Sequence, residues 1–189
     1  MLENQNVNSI STTACAGMFD LGNGTFAYDF KERFKVRSIV AAVDTDNGKA
    51  LGLCPVQSMM PLSLGVLHVQ TAQIDSGREA TKVLLDAAEK QGLVLPAVDF
   101  CRNYEGFGVQ KGEAFLASRH ELRYVAISHE KILKAFKKLG LTRTDNSFLS
   151  TAINEDCCVW VLSLNNMAVT GWKQLWHTGT VMPMIEITL

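Results

Sequence analysis

The sequence predicts an α/β domain of the α+β kind, a single domain whose mixed, mostly antiparallel central sheet is flanked by helices. Three observations predict it. Val36 to Asp44 is a β-branched apolar run that ends in Thr45-Asp46-Asn47-Gly48 and is followed by a second apolar run, Ala50 to Val56. Asn-Gly between two such runs is a strong short-range signal for an antiparallel hairpin. His129 to Leu139 places Ile132, Leu133, Ala135, Phe136 and Leu139 on one stripe at helical spacing, with lysines on the other side. Finally, the 189 residues contain no internal repeat, no low-complexity linker and no run of about 20 apolar residues of the kind a membrane helix needs.

Residues 1–25, rich in Asn, Ser, Thr and Gly, read as a flexible or capping segment, and 26–189 as the single domain. After the hairpin, Pro55 and Pro61 break the chain. Val66 to Ile74 then predicts a third strand, with Val66, His68, Gln70, Ala72 and Ile74 on one face and Leu67, Val69, Thr71 and Gln73 on the other. Neither face is purely apolar, so this strand either borders a cleft or sits half-buried at a sheet edge. Asp75-Ser76-Gly77 ends it and opens a helix over Arg78 to Gln91, stopped by Gly92. Such a strand, Gly turn and helix is either a plain connector or an anion site, because the free N–H groups at a helix N-terminus attract negative charge.

Leu93 to Ser118, punctuated by Gly106, Gly108 and Gly112, predicts a long excursion, a lid or one wall of an acyl-sized pocket. Leu122 to Ser128 predicts a strand, with Ser128 then capping the helix that Gly140 ends. Phe148 to Ile153 and Cys157 to Leu164 predict a hairpin around Asn154-Glu155-Asp156, and Val181 to Leu189 an edge strand.

The formal net charge is −1, yet the charge is segregated. Arg119 to Arg143 carries seven bases and two acids, net +5, while the rest carries 11 bases and 17 acids, net −6. The basic run is either the solvated face of a helix or a docking surface for an anionic partner. The five cysteines, with Cys157 and Cys158 adjacent, have neither CxxC nor zinc-ligand spacing. We therefore expect free thiols, no metal and no structural disulfide. With no basic, apolar leader at the N-terminus, a cytoplasmic location is expected.

The order hairpin, strand, Gly turn, helix, strand, helix, late strand resembles that of the GNAT-type N-acyltransferases. His129 to Leu141, HEKILKAFKKLGL, carries the resemblance. Family members place an Asn, a Tyr seven positions on and a Lys-Leu-Gly-Phe-like ending where this chain has His129, Phe136 and Lys138-Leu139-Gly140-Leu141. Phe136 cannot donate the proton that the family Tyr gives, and the phosphate-cradling signature is reduced to Gln73-Ile74-Asp75-Ser76-Gly77-Arg78-Glu79-Ala80. In both respects the chain is similar to the acyl-homoserine-lactone and N-acyl amino acid synthase branch, whose acyl group arrives on an acyl carrier protein.

The resemblance implies an acyltransferase that moves an acyl group from acyl-CoA or an acyl-phosphopantetheine carrier to the amine of a small molecule. His68, Gln73 and Asp75 would touch the amine. Ser76, Gly77, Arg78, Thr81 and His129 would meet the co-substrate. Arg119, Arg123, Lys131, Lys134 and Lys138 would meet an acidic acyl carrier protein. The competing expectation is a non-catalytic binding or regulatory protein on a degenerate acyltransferase scaffold. RNA is disfavoured, because no aromatic-basic signature accompanies the basic helix.

Overall fold

A computed structural model describes residues 10–141, 147–164 and 168–189. The fold is mixed α/β, built on two mostly antiparallel sheets rather than one. The strands are β1 (Phe19–Asp20), β2 (Phe26–Ala27), β3 (Ser38–Asp44), β4 (Lys49–Leu53), β5 (Ser58–Met60), β6 (Phe115–Leu116), β7 (Ser147–Ile153), β8 (Cys158–Leu164), β9 (Ala168–Gln174), β10 (Gly179–Val181) and β11 (Pro183–Thr188). The helices are α1 (Gly77–Gln91), α2 (Pro96–Arg102), α3 (Arg119–Ile127) and α4 (His129–Lys138). One sheet has the order β2-β1-β3-β4-β11-β6, and the other β5-β10-β7-β8-β9, in which only β10 and β7 run parallel.

Both predicted hairpins form. Asp44 pairs with Lys49 across the Thr45–Gly48 turn, where the Asp44 carboxylate accepts from the Asn47 backbone and side-chain N–H groups. Of Asn47 and Gly48, only Gly48 adopts positive φ (+61°). In the second hairpin, β7 and β8 flank a turn in which Asn154 Oδ1 accepts from the Cys158 N–H at 2.8 Å. The C-terminal strand is not at an edge: β11 lies between β4 and β6. The excursion from Leu93 contains α2 and β6. Within residues 10–25, Ala14, Met18 and Phe19 are buried.

Two predicted strands are corrected. Val66 to Ile74 is an irregular segment, not a strand, and it turns at Ala72-Gln73, where the Ile74 N–H donates to the Thr71 carbonyl. Its alternation is real, with Leu67 and Thr71 buried and Val66, His68 and Gln70 exposed. Its backbone, however, finds other partners. The Gln91 side chain brackets His68, accepting from its N–H at 3.1 Å and donating to its carbonyl at 3.2 Å. Thr71 and Ala72 both donate their N–H to the Ile153 carbonyl. Leu122 to Ser128 is not a strand either: Leu122 to Ile127 is the larger part of α3, and Ser128 is its C-cap. Ser118 and Glu121 form a capping box, and burial follows a helical period, with Leu122 and Val125 inside and Arg123, Tyr124 and Ile127 outside. The β-branched and aromatic residues of LRYVAIS favour a strand only weakly, and the cap together with burial of one stripe overrides them.

These elements place the core. Phe19, Ile39, Leu53, Phe115 and Met184 from the first sheet meet Phe148, Ala152, Trp160 and Leu162 from the second, with α3 and α4 contributing Val125, Ile132 and Phe136. On the other side of the second sheet, Leu149, Val159 and Val161 pack on Leu84 and Ala88 of α1 and Val98 of α2.

Candidate functional site

Ser76, Ser118 and Glu121 meet where α1 and α3 begin. Ser76 caps α1, its Oγ accepting from the Glu79 N–H, and Ser118 caps α3. The loop from β6 into α3 runs close to Gly77, so both helix N-termini face one side chain, that of Glu121. Its Oε2 accepts from the Gly77 N–H at 3.1 Å and from the Ser118 N–H at 2.6 Å, and Glu121 is only 7% exposed. The Ser118 hydroxyl in turn donates to the Asp75 carbonyl. The anion that the Gly turn attracts is thus the chain's own carboxylate, reaching it from 44 residues away.

Burial pushes the Glu121 carboxyl above its usual value, the two backbone N–H donors opposing the shift and the Glu186 charge adding to it. A group raised in this way binds its proton more tightly in the folded protein. Its stabilising share is complete below the ordinary carboxylate value of about 4.3 and is lost as pH rises through the raised folded value. Glu121→Gln mimics the protonated form and keeps one oxygen to accept both N–H groups. The stability of the wild type relative to this variant should therefore fall as pH rises from about 4 toward neutrality. Urea midpoints that run parallel for the two proteins across that range would refute this.

Around this carboxyl lies an exposed string of titratable groups. Asp75 Oδ1 is 3.9 Å from His120 Nδ1, and His120 Nε2 is 3.3 Å from the Tyr124 hydroxyl. Arg78 lies over the Phe115 ring, donates to the Glu113 carbonyl at 2.8 Å and stands 4.0 Å from Glu186. Gln73 is exposed, whereas Thr81 is buried, 6% exposed, on the core side of α1. His129 Nδ1 is 2.9 Å from the Ala126 carbonyl, a local contact at the α3–α4 junction.

The residues picked out for amine chemistry are not brought together. Asp75 precedes the first turn of α1, while His68 is bracketed by Gln91, the last residue of α1. With 15 residues at about 1.5 Å rise each, the two ends of that helix stand roughly 20 Å apart. His68 meets a different group: its Nδ1 is 3.6 Å from Cys157 Sγ. No sequence signal marks this pair, whose members are 89 positions apart. The Ser118-Arg119-His120-Glu121 capping box does have a sequence signature, an N-cap Ser with Glu three residues on.

The basic run divides between two helices. Arg119 and Arg123 are one turn apart on α3, while Lys131, Lys134 and Lys138 line a groove of about 270 Å³ along α4, completed by Gly17, Phe19, Tyr28 and Ala135. Arg143, the last base of the run, lies outside the described residues. Gly17, at φ +86°, brings the N-terminal segment onto α4, where a Cβ would stand 2.6 Å from Lys131 Cβ. Lys138 is engaged, donating to the Tyr28 carbonyl and standing 3.8 Å from Asp29. Among the described residues Lys131 and Lys134 have no carboxylate within 4.0 Å, and no group of three or more His, Cys, Asp or Glu is arranged to hold a metal. No helix there is long and apolar enough to cross a membrane.

Comparison with protein-family models, with curated proteins and with solved structures finds no match to this chain.

Proposed function

We propose that the chain is a non-catalytic binding protein that engages an acidic protein surface through the lysine-lined groove of α4. The groove itself carries the reading. Its floor is apolar (Phe19, Ala135), one wall is the half-exposed Tyr28, and Lys131 and Lys134 stand on it without intramolecular acids among the described residues. Ammonium groups above an aromatic and aliphatic floor suit a carboxylate side chain presented by a partner, with attraction that falls as salt rises.

Acyl transfer to an amine asks for a base, an oxyanion donor and a phosphate-facing turn around one thioester. Here His68 and Asp75 stand at opposite ends of α1, and the Gly77 N–H is already given to Glu121. These placements favour binding over catalysis on this scaffold.

The test uses acyl carrier protein, in apo and acylated forms, and poly-L-glutamate as acidic probes. We expect salt-sensitive binding that does not depend on the acyl group, a loss of at least about tenfold in Lys131→Glu/Lys134→Glu, and an acyl group that stays on its carrier when amines are added. Failure to bind either probe, or equal binding by the double variant, would overturn the docking surface. Transfer of the acyl group to an amine, read by mass spectrometry, would restore the enzyme reading.

A further inference from the structure

The contact between His68 and Cys157 points to a site of a different kind, independent of the α4 groove. The five cysteines differ sharply in environment. Cys54 and Cys101 are fully buried, and burial pushes both thiols up, away from reactivity. Cys15 is exposed, and Cys158 turns its Sγ toward the Asp156 carbonyl. Cys157 alone has its sulfur against an imidazole, 3.6 Å from His68 Nδ1. It is partly exposed, sits at φ +54° in the β7–β8 turn and rests against the core cluster beneath α1.

The imidazole is held in place. Gln91 clamps the backbone of His68 on both sides, and three residues on, Thr71 ties the same segment to β7. Beyond the ring, an open groove of about 560 Å³ runs along α1, lined by His68, Val69, Lys82, Val83, Lys90 and Gln91 among others. Lys90 is paired with Asp86 at 3.3 Å, while Lys82 has no carboxylate within 4.0 Å among the described residues. The imidazole that touches the thiol lines this groove, and Lys82 on the same groove is a cation without a carboxylate partner among the described residues, which together give a nucleophile–base pair beside a place for an anionic reagent.

We propose that Cys157 and His68 form a nucleophile–base pair through which the protein is S-thiolated by small, carboxylate-bearing disulfides such as a peptide disulfide. Cys157 passes its proton to His68 Nδ1, and the thiolate attacks one sulfur of the disulfide. The new Sγ–S bond forms as the old S–S bond breaks, and the departing thiolate takes the proton back from the imidazolium, so the disulfide is the oxidant and no other reagent is consumed. Lys82 meets the carboxylate of the incoming reagent.

The experiment treats the purified protein with glutathione disulfide near neutral pH and follows each cysteine by peptide mass mapping. Cys157 should form the mixed disulfide about tenfold faster than Cys15 or Cys158. His68→Ala should bring its rate down to that of Cys15. Should that variant lose the native circular dichroism, His68→Gln, which keeps a polar side chain on the exposed surface, serves in its place. Lys82→Glu should slow the reaction with glutathione disulfide but not with the neutral hydroxyethyl disulfide. Modification of Cys15 first, equal Cys157 rates in wild type and the His68 variants, or collapse to a Cys157–Cys158 bridge would overturn the proposal.

Discussion

Gly77→Ala should cost about 3 kcal/mol of stability, read as a fall in the urea midpoint with an unchanged slope. Two effects oppose each other at this position. Alanine is the better helix former by up to about 1 kcal/mol, a gain that applies only partly at the first residue of α1. Against it, a Cβ would stand 2.6 Å from Glu121 Oε2 and 2.8 Å from the Ser118 N, and closer still to the Leu116 carbonyl. None of the three is the free end of a flexible side chain. Two are backbone atoms, of the last residue of β6 and of the α3 N-cap, and the third is a buried carboxylate already held by two N–H donors. Overpacking of this kind costs about 1 to 3 kcal/mol, and moving the loop also stretches charge-assisted hydrogen bonds worth about 1.5 to 3 kcal/mol each. The steric term wins. A loss below about 1 kcal/mol would mean that the loop relaxes freely and that Glu121 does not tie the two helices together.

The same junction separates what is legible in the sequence from what is not. The turn Asp75-Ser76-Gly77 and the helical period of Ala80, Leu84 and Ala88 are local, so the start of α1 can be read directly. The anion that fills the turn is not local. Glu121 arrives through β6 and the capping box of α3, and once LRYVAIS is read as a strand, Ser118 and Glu121 lose the roles that would have marked them. Hairpins fare well because each is closed by its own turn: Asp44 and Asn47 in one, Asn154 in the other. The lysines of α4 are legible as a charged stripe. Their groove is not, because it needs Gly17 and Tyr28, more than a hundred residues earlier, to supply a wall. For the same reason His68 can be noticed in sequence while its partner, Cys157, cannot.

Thr71→Val should likewise lose about 3 kcal/mol, and it tests how the irregular segment from Val66 to Ile74 is held. Valine keeps the shape and the burial, so packing is preserved and only the hydroxyl is removed. That hydroxyl is completely buried, donates to the Thr151 carbonyl at 2.6 Å and accepts from the Ile153 N–H at 3.0 Å. It spans the point where the β7–β8 register shifts between Leu149 and Ile153, substituting for the ladder bonds a true strand would have made. Its loss leaves a buried donor and a buried acceptor unpaired, each costing about 1 to 3 kcal/mol. Thr71→Ser retains both bonds and should lose only about 1 kcal/mol, for one methyl group. Equal losses in the two variants would place the cost in packing instead. The clamp also reaches the thiol chemistry, because Thr71 holds the segment that sets His68 beside Cys157, its own hydrogen bonds going to Thr151 and Ile153. In Thr71→Val protein that is still folded, S-thiolation of Cys157 should slow toward the rate of Cys15, and in Thr71→Ser it should not. That difference separates a positioned imidazole from one that merely lies nearby.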